Sequence, residues 1–121
     1  MFFNLGSGKI VTSVKGRANS GVMYVADSNI FFDGCFSYSI SPNKDQFYAF
    51  VSCLRQAARS ASEQQIVEKS GELSFFTEGP DVEGYCNVTI SCESWFCINM
   101  KHKYLESFAD FLMEYQSRFL D

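Results

Sequence analysis

The feature that most constrains this chain is a strict alternation of apolar and polar residues over positions 85–92. The apolar set is Cys86, Val88, Ile90 and Cys92, and Tyr85, Asn87, Thr89 and Ser91 fall between them. Successive side chains of a β-strand point to opposite faces of the sheet, so this pattern predicts a strand with one buried face. We therefore expect an antiparallel sheet that other elements cover on one side.

Further strand signals surround this segment. Residues 72–77 and 95–100 are rich in aromatic and β-branched residues, and short polar turns at 78–81 and 93–94 separate them from the central strand. Three successive strands joined by short turns predict an antiparallel meander. Upstream, residues 9–16 and 22–26 predict two more strands, and after a turn at 27–29 the stretch 30–40 reads as one alternating strand.

Two segments carry helical periodicity. Asn43 is a candidate N-cap with Gln46 three residues on, and Phe47, Phe50 and Leu54 begin an apolar stripe that runs to about residue 60. Residues 61–70 are polar without a strong period and predict a connection. A second helix is predicted over residues 101–119. Its apolar positions are Tyr104, Leu105, Phe108, Phe111, Leu112, Tyr115 and Phe119.

The order of these elements predicts an α+β fold. We expect an antiparallel sheet of about six strands packed against two amphipathic helices, in a single domain over residues 1–121. The hydrophobic content of 46% and the charged content of 20% are typical of a folded chain rather than a disordered one. Apolar runs of only a few residues predict no membrane span, since a span needs about 20.

The cysteines indicate the compartment. Five cysteines form an odd set without a C-x-x-C pair, and most fall at positions that otherwise alternate as apolar. Such free, buried thiols are typical of a reducing environment. The first residues also lack the basic and apolar regions of a secretory signal, so we expect a cytoplasmic protein.

Charge is unevenly distributed along the chain, whose net charge is −4. Between residues 60 and 100, Lys69 is the only basic residue. The acidic residues of that segment are Glu63, Glu68, Glu72, Glu78, Asp81, Glu83 and Glu93. An acidic surface repels nucleic acid and attracts basic proteins, so we predict no direct nucleic-acid binding.

Catalytic and metal-binding patterns are weak in this sequence. The single histidine, His102, lies between two lysines, cannot build a His-rich metal site and is expected on the solvated surface. Cys86, Cys92 and Cys97 lack zinc-knuckle spacing, and core packing is the simpler role for these thiols. We therefore predict no catalytic residue, metal site or cofactor, and expect a binding protein rather than an enzyme.

Two adjacent aromatic pairs indicate where such binding could occur. Phe75 neighbours Phe76, and Trp95 neighbours Phe96, so one member of each pair must point away from the core. Either a second layer or a dimer covers these side chains, or they anchor a protein partner.

Several segments resemble the WapI-type immunity proteins of contact-dependent growth inhibition and polymorphic toxin systems. The similar segments span about residues 22–119 and comprise Ile30-Phe31-Phe32-Asp33-Gly34-Cys35-Phe36, Gln46-Phe47-Tyr48-Ala49-Phe50, Gly71-Glu72-Leu73-Ser74-Phe75, Tyr85-Cys86-Asn87-Val88-Thr89-Ile90 and Tyr104-Leu105-Glu106-Ser107-Phe108. The resemblance implies a cytoplasmic bacterial protein that binds and blocks the active domain of a neighbouring toxin, often a nuclease. It supplies no catalytic residues.

These observations lead to one preferred hypothesis and two alternatives. We predict that an acidic and aromatic surface contacts a basic toxin domain through Glu78, Asp81, Glu83, Glu93 and Trp95. One alternative is a small-ligand-binding or enzymatic domain with a pocket between sheet and helices. The other is a secretion chaperone or adaptor that dimerises through the helix at 104–119. The sequence leaves the oligomeric state open.

Overall fold

The described part of the protein contains two antiparallel sheets and two α-helices. The structure, a computed structural model, describes residues 2–4, 9–12, 22–33, 37–60, 64–93 and 95–120, with backbone alone in the first two ranges and at residue 64. The small sheet has the order β1 (Phe2–Asn4), β3 (Val22–Ala26), β4 (Asn29–Asp33), β5 (Ser37–Ile40). The large sheet has the order β2 (Lys9–Thr12), β9 (Trp95–Lys101), β8 (Tyr85–Ser91), β7 (Leu73–Gly79), β6 (Gln64–Ser70).

The predicted fold class is confirmed, but the predicted sheet is incomplete. Strands β7, β8 and β9 form the expected meander, in which Val88 pairs with Thr77 on one side and Ile98 on the other. Instead of a single sheet of about six strands, the protein has two sheets. Strand β1 pairs with β3 in the small sheet, whereas β2 pairs with β9 in the large one. Residues 13–16 of the first predicted strand lie outside the described residues.

Two local predictions were wrong. Residues 64–70 form strand β6 rather than a connection, and this strand pairs with β7 along its whole length. The alternating stretch 30–40 is a hairpin rather than one strand, since Ile30 of β4 pairs with Ile40 of β5. In the hairpin, alternate residues of both strands still face the core, so the chain can reverse direction without altering the alternation.

Helix α1 (Lys44–Arg59) begins where the sequence predicts. The Asn43 side chain accepts a hydrogen bond from the backbone N–H of Gln46, and the Gln46 side chain accepts one from the backbone N–H of Asn43. This capping box satisfies N–H groups that the first helical turn cannot satisfy itself. The helix buries Phe50, whose ring stacks on Phe75 of β7 at 4.7 Å and meets Phe108 edge-on at 5.7 Å.

Helix α2 (Leu105–Met113) packs beside α1. Its stripe buries Phe108 and Leu112 completely, so the apolar surface that a dimerising adaptor would use lies inside the core. Arg55 of α1 forms ion pairs with Glu106 at 2.6 Å and Asp110 at 2.9 Å. The prediction of one helix through residue 119 was wrong, because regular α-helix ends at Met113 and a 3-10 turn occupies Gln116–Phe119.

One face of the large sheet, here called the inner face, is covered by both helices and by the small sheet. The small sheet reaches it through Phe32 and Tyr38, whose rings lie 5.1 Å and 4.5 Å from that of Phe96. The inner-face residues of β7, β8 and β9 are Leu73, Phe75, Thr77, Cys86, Val88, Ile90, Phe96, Ile98 and Met100, all buried. Neither described helix is both long and apolar enough to cross a membrane.

Candidate functional surface and cleft

The opposite side of the large sheet, here called the outer face, is a candidate interaction surface. The register places on it Gln65, Val67, Lys69, Ser74, Phe76, Glu78, Tyr85, Asn87, Thr89, Ser91, Trp95, Cys97, Asn99 and Lys101. Val67 keeps 53% of its surface exposed and Trp95 keeps 41%, whereas Phe76, opposite Val67, is partly buried. As the paired aromatics predict, Phe76 and Trp95 point away from the core that holds Phe75 and Phe96.

The five predicted contact residues lie at two ends of this sheet rather than in one patch. Glu78 is the second-last residue of β7, and Asp81 and Glu83 lie in the following turn to β8. Glu93 lies in the turn into β9 at the opposite end, and Trp95 is the first residue of β9. Strands of seven residues separate the two groups, a length of about 20 Å at roughly 3.3 Å per residue. Glu78 and Trp95 nevertheless share the outer face.

Two of these carboxylates already have partners within the protein. Asp81 accepts hydrogen bonds from the backbone N–H groups of Glu83 and Tyr85, both at 2.9 Å, and thereby holds its own turn. Glu78 accepts a hydrogen bond from the Gln65 side chain at 3.1 Å. Glu83 and Glu93 are exposed. Sequence spacing could not separate the turn-forming role of Asp81 from a contact role.

The acidic segment does not form one acidic face. Glu68 points to α1, where its carboxylate accepts hydrogen bonds from Gln56 at 2.6 Å and Ser52 at 3.5 Å. The outer face carries both signs, since Lys101 lies there with its ammonium 5.5 Å from the centre of the Tyr85 ring. The exposed carboxylates of the segment are therefore concentrated in the turns at either end of the sheet.

A cleft of about 380 Å³ lies where the small sheet meets the strand turns of the large one. It is lined by Tyr38, Ser39, Ile40, Ser41, Gln46, Glu72, Leu73 and Cys92. These residues come from β5 and the segment after it, from α1, and from two turns of the large sheet. No local pattern in the sequence indicates this cleft, because its walls come from four separate parts of the chain.

The thiols point in different directions. Cys86 lies on the inner face, Cys97 lies on the outer face, and Cys92 is exposed in the turn before β9. Burial raises the pKa of the Cys53 and Cys86 thiols to about 11, so both stay protonated at neutral pH. Within the described ranges, no group of three potential metal ligands comes together. Cys35 lies outside those ranges.

His102 is not the freely solvated residue that its lysine neighbours predict. The imidazole Nε2 lies 2.8 Å from the backbone carbonyl oxygen of Ala57, and the side chain is partly buried. The backbone N–H of His102 also donates to the carbonyl of Gly84 at 2.8 Å. This contact joins the last turn of α1 to the segment that follows β9, which is a structural role.

No protein-family model, curated protein or solved structure matches this chain.

Proposed function

We propose that the protein is an immunity protein of the WapI type, which binds a cognate bacterial toxin domain and neutralises it by blocking its active domain. The observation that carries this proposal is the outer face of the large sheet. Exposed Val67 lies opposite partly buried Phe76 there, and exposed Trp95 lies on the same face two strands away, among polar and charged neighbours. Aromatic anchors inside a polar rim are the usual composition of a protein-binding hot spot.

The expected partner is a basic protein domain, for example a nuclease. Exposed Glu83 and Glu93 lie at opposite ends of the sheet, so their charges would guide a basic domain across the whole outer face. Such charges accelerate encounter more than they strengthen the final complex. The aromatic and aliphatic contacts of the outer face then supply the binding free energy.

The proposed location is the bacterial cytoplasm, where an immunity protein must meet an incoming toxin. The protonated, buried thiols of Cys53 and Cys86 fit a reducing compartment. We propose a binding role without catalysis, and the resemblance to the immunity family supports both parts of that description.

A binding experiment with the product of the neighbouring reading frame tests the proposal. Trp95→Ala should weaken binding at least about tenfold, as hot-spot truncations do, and Val67→Lys should weaken it as well, because it places the partner's own sign of charge on the outer face. Leu120→Lys is the matched control, because Leu120 is 47% exposed but follows the 3-10 turn on the helical side. Equal affinity for all three variants and the unmodified protein would exclude the outer face.

The electrostatic part is tested separately through association rates. Glu83→Lys and Glu93→Lys should slow association, and the effect should shrink as salt rises, because these carboxylates are exposed. Asp81 is unsuitable for this test, since its carboxylate holds the turn. A rate that depends on neither substitution nor salt would remove charge guidance from the proposal.

A further inference from the structure

The cleft between the two sheets is bordered by an unpaired strand edge. Strand β5 pairs with β4 on one edge, and no strand in the described part of the chain pairs with its second edge. Four consecutive residues, 38–41, line the cleft along this edge. An open edge offers a row of backbone N–H and C=O groups that can pair with another strand.

Among the described residues that line the cleft, the facing wall carries the only formal charge. Glu72 lies in the turn between β6 and β7, and within the described part of the chain its carboxylate makes no hydrogen bond or ion pair. The neighbouring Gln46 side chain is already engaged. Its oxygen accepts from the backbone N–H of Asn43 at 2.9 Å, and its nitrogen donates to the carbonyl of Ser70 at 3.3 Å.

We infer that this cleft receives an extended segment of the partner protein, which adds a strand to the edge of β5 and places a lysine or arginine beside Glu72. The inference rests on the proposed function and names part of the partner's contact. A volume of about 380 Å³ is at the small end of ligand sites, enough for a few residues of extended chain. In strand addition, backbone hydrogen bonds supply the affinity and side-chain contacts supply the specificity. Here the unpaired Glu72 carboxylate would select a cationic side chain.

The cleft also lies at the end of the large sheet where Glu93 and Trp95 are exposed. Cys92, which lines the cleft, is the residue before Glu93 in the turn into β9. A partner seated on the outer face near Trp95 therefore has a short path around this turn to the edge of β5. The inferred contact and the proposed interface are continuous at that end.

A titration of the isotopically labelled full chain with blocked pentapeptides tests the inference by NMR. The probe carries a central arginine between threonine and valine residues. Amide signals of Ser39, Ser41 and Glu72 should shift as the probe is added, because these residues border the inferred strand. A probe methylated on its peptide nitrogens should cause no such shifts, since it cannot pair with the strand edge.

Charge selection is tested with Glu72→Gln, which should weaken binding of the arginine probe about threefold, the size expected for an exposed ion pair. The affinity for a glutamine-centred probe should stay the same. Glu83→Gln, at the far end of the large sheet, is the matched control and should change neither affinity.

Two outcomes overturn the inference. The first is the absence of shifts at the β5 edge at millimolar probe. The second is binding of blocked arginine alone as tightly as the pentapeptide, which would make the cleft a site for small cations. Both are independent of the toxin experiment. Toxin binding without peptide binding would remove only the cleft contact, and peptide binding without toxin binding would remove only the immunity role.

Discussion

The two faces of the large sheet use one sequence alternation for different purposes. On β7, Phe75 is fully buried against Phe50 of α1, while Phe76 points to the outer face and is only partly buried. On β9, Phe96 is fully buried and its neighbour Trp95 is 41% exposed. The comparison shows that adjacent aromatics of one strand can serve the core and a candidate interface at the same time.

We expect the two faces to differ most in the loss of stability that a newly introduced carboxylate causes. Val88→Asp would bury an unpaired charge at a fully buried position, and we expect it to abolish folding, since total stability is only about 5–15 kcal/mol. Val67→Asp, on the outer face, should lower the free energy of unfolding by only about 1 kcal/mol, the span of strand propensity at an exposed site. Urea denaturation followed by circular dichroism measures both, and similar losses at the two sites would contradict the assignment of faces.

Truncation of the neighbouring phenylalanines should give a smaller but clear difference. Phe75→Ala leaves a cavity between β7 and α1 and should cost about 3–5 kcal/mol. Phe76→Ala removes a partly buried ring and should cost about 1 kcal/mol while weakening toxin binding. Chemical denaturation gives the stability, and calorimetric titration gives the affinity. A Phe76→Ala protein that is severely destabilised would mean that another part of the fold depends on this ring.

Thiol labelling compares buried and exposed cysteines without any substitution. With a pKa of about 11, Cys53 and Cys86 should be alkylated at pH 8 about a hundredfold more slowly than an ordinary thiol, before steric protection slows them further. Exposed Cys92 should react before both of them. Iodoacetamide labelling with peptide mapping measures the labelling rate of each cysteine, so the signal of Cys35 is distinguished from the others. Early labelling of Cys86 would show that the inner face opens readily.

The same raised pKa values predict how stability depends on pH. The unfolded chain releases these thiol protons near the ordinary value of 9.0, whereas the folded chain holds them until about 11. The contribution of these two thiols to the free energy of unfolding is therefore complete below about pH 9, and it is lost as the pH rises towards 11. A urea midpoint that increases over this interval would contradict the sign.

The smallest expected effect concerns the helix that covers the inner face. Asn43→Ala removes the side-chain half of the capping box of α1 and should cost about 1 kcal/mol. Asn43→Gly is the control and should cost only a few tenths of a kcal/mol, because glycine is tolerated at this position. Thermal melting of both variants checks the order, and equal losses would show that the cap contributes little.

The sequence predicted the elements whose periodicity is strong. The meander of β7, β8 and β9 and the start of α1 were predicted because Val88, Ile90 and the Asn43–Gln46 pair are local signals. Strand β6 was missed because its inner face is partly polar. Glu68 occupies an inward position there, supported by hydrogen bonds from α1 that no local pattern reveals.

The division into two sheets and the cleft were not predictable in this way. The pairing of β2 with β9 joins segments from opposite ends of the described chain, and the cleft combines β5, α1 and two distant turns. The prediction that one aromatic of each adjacent pair points away from the core is confirmed for Trp95, whereas its contact role stays a prediction. The role of Asp81 as acceptor for the N–H groups of its own turn depends on backbone geometry, which spacing alone leaves open.

The pairing of β2 with β9 also determines when the large sheet can be completed during protein synthesis. A ribosome releases Lys9–Thr12 first, but the strand that pairs with this segment, Trp95–Lys101, emerges about 80 residues later. The hairpin of β3 and β4 needs only neighbouring residues and can form long before. We therefore expect nascent chains arrested before residue 95 to carry an incomplete large sheet, and completion of this sheet to follow release of its last strand.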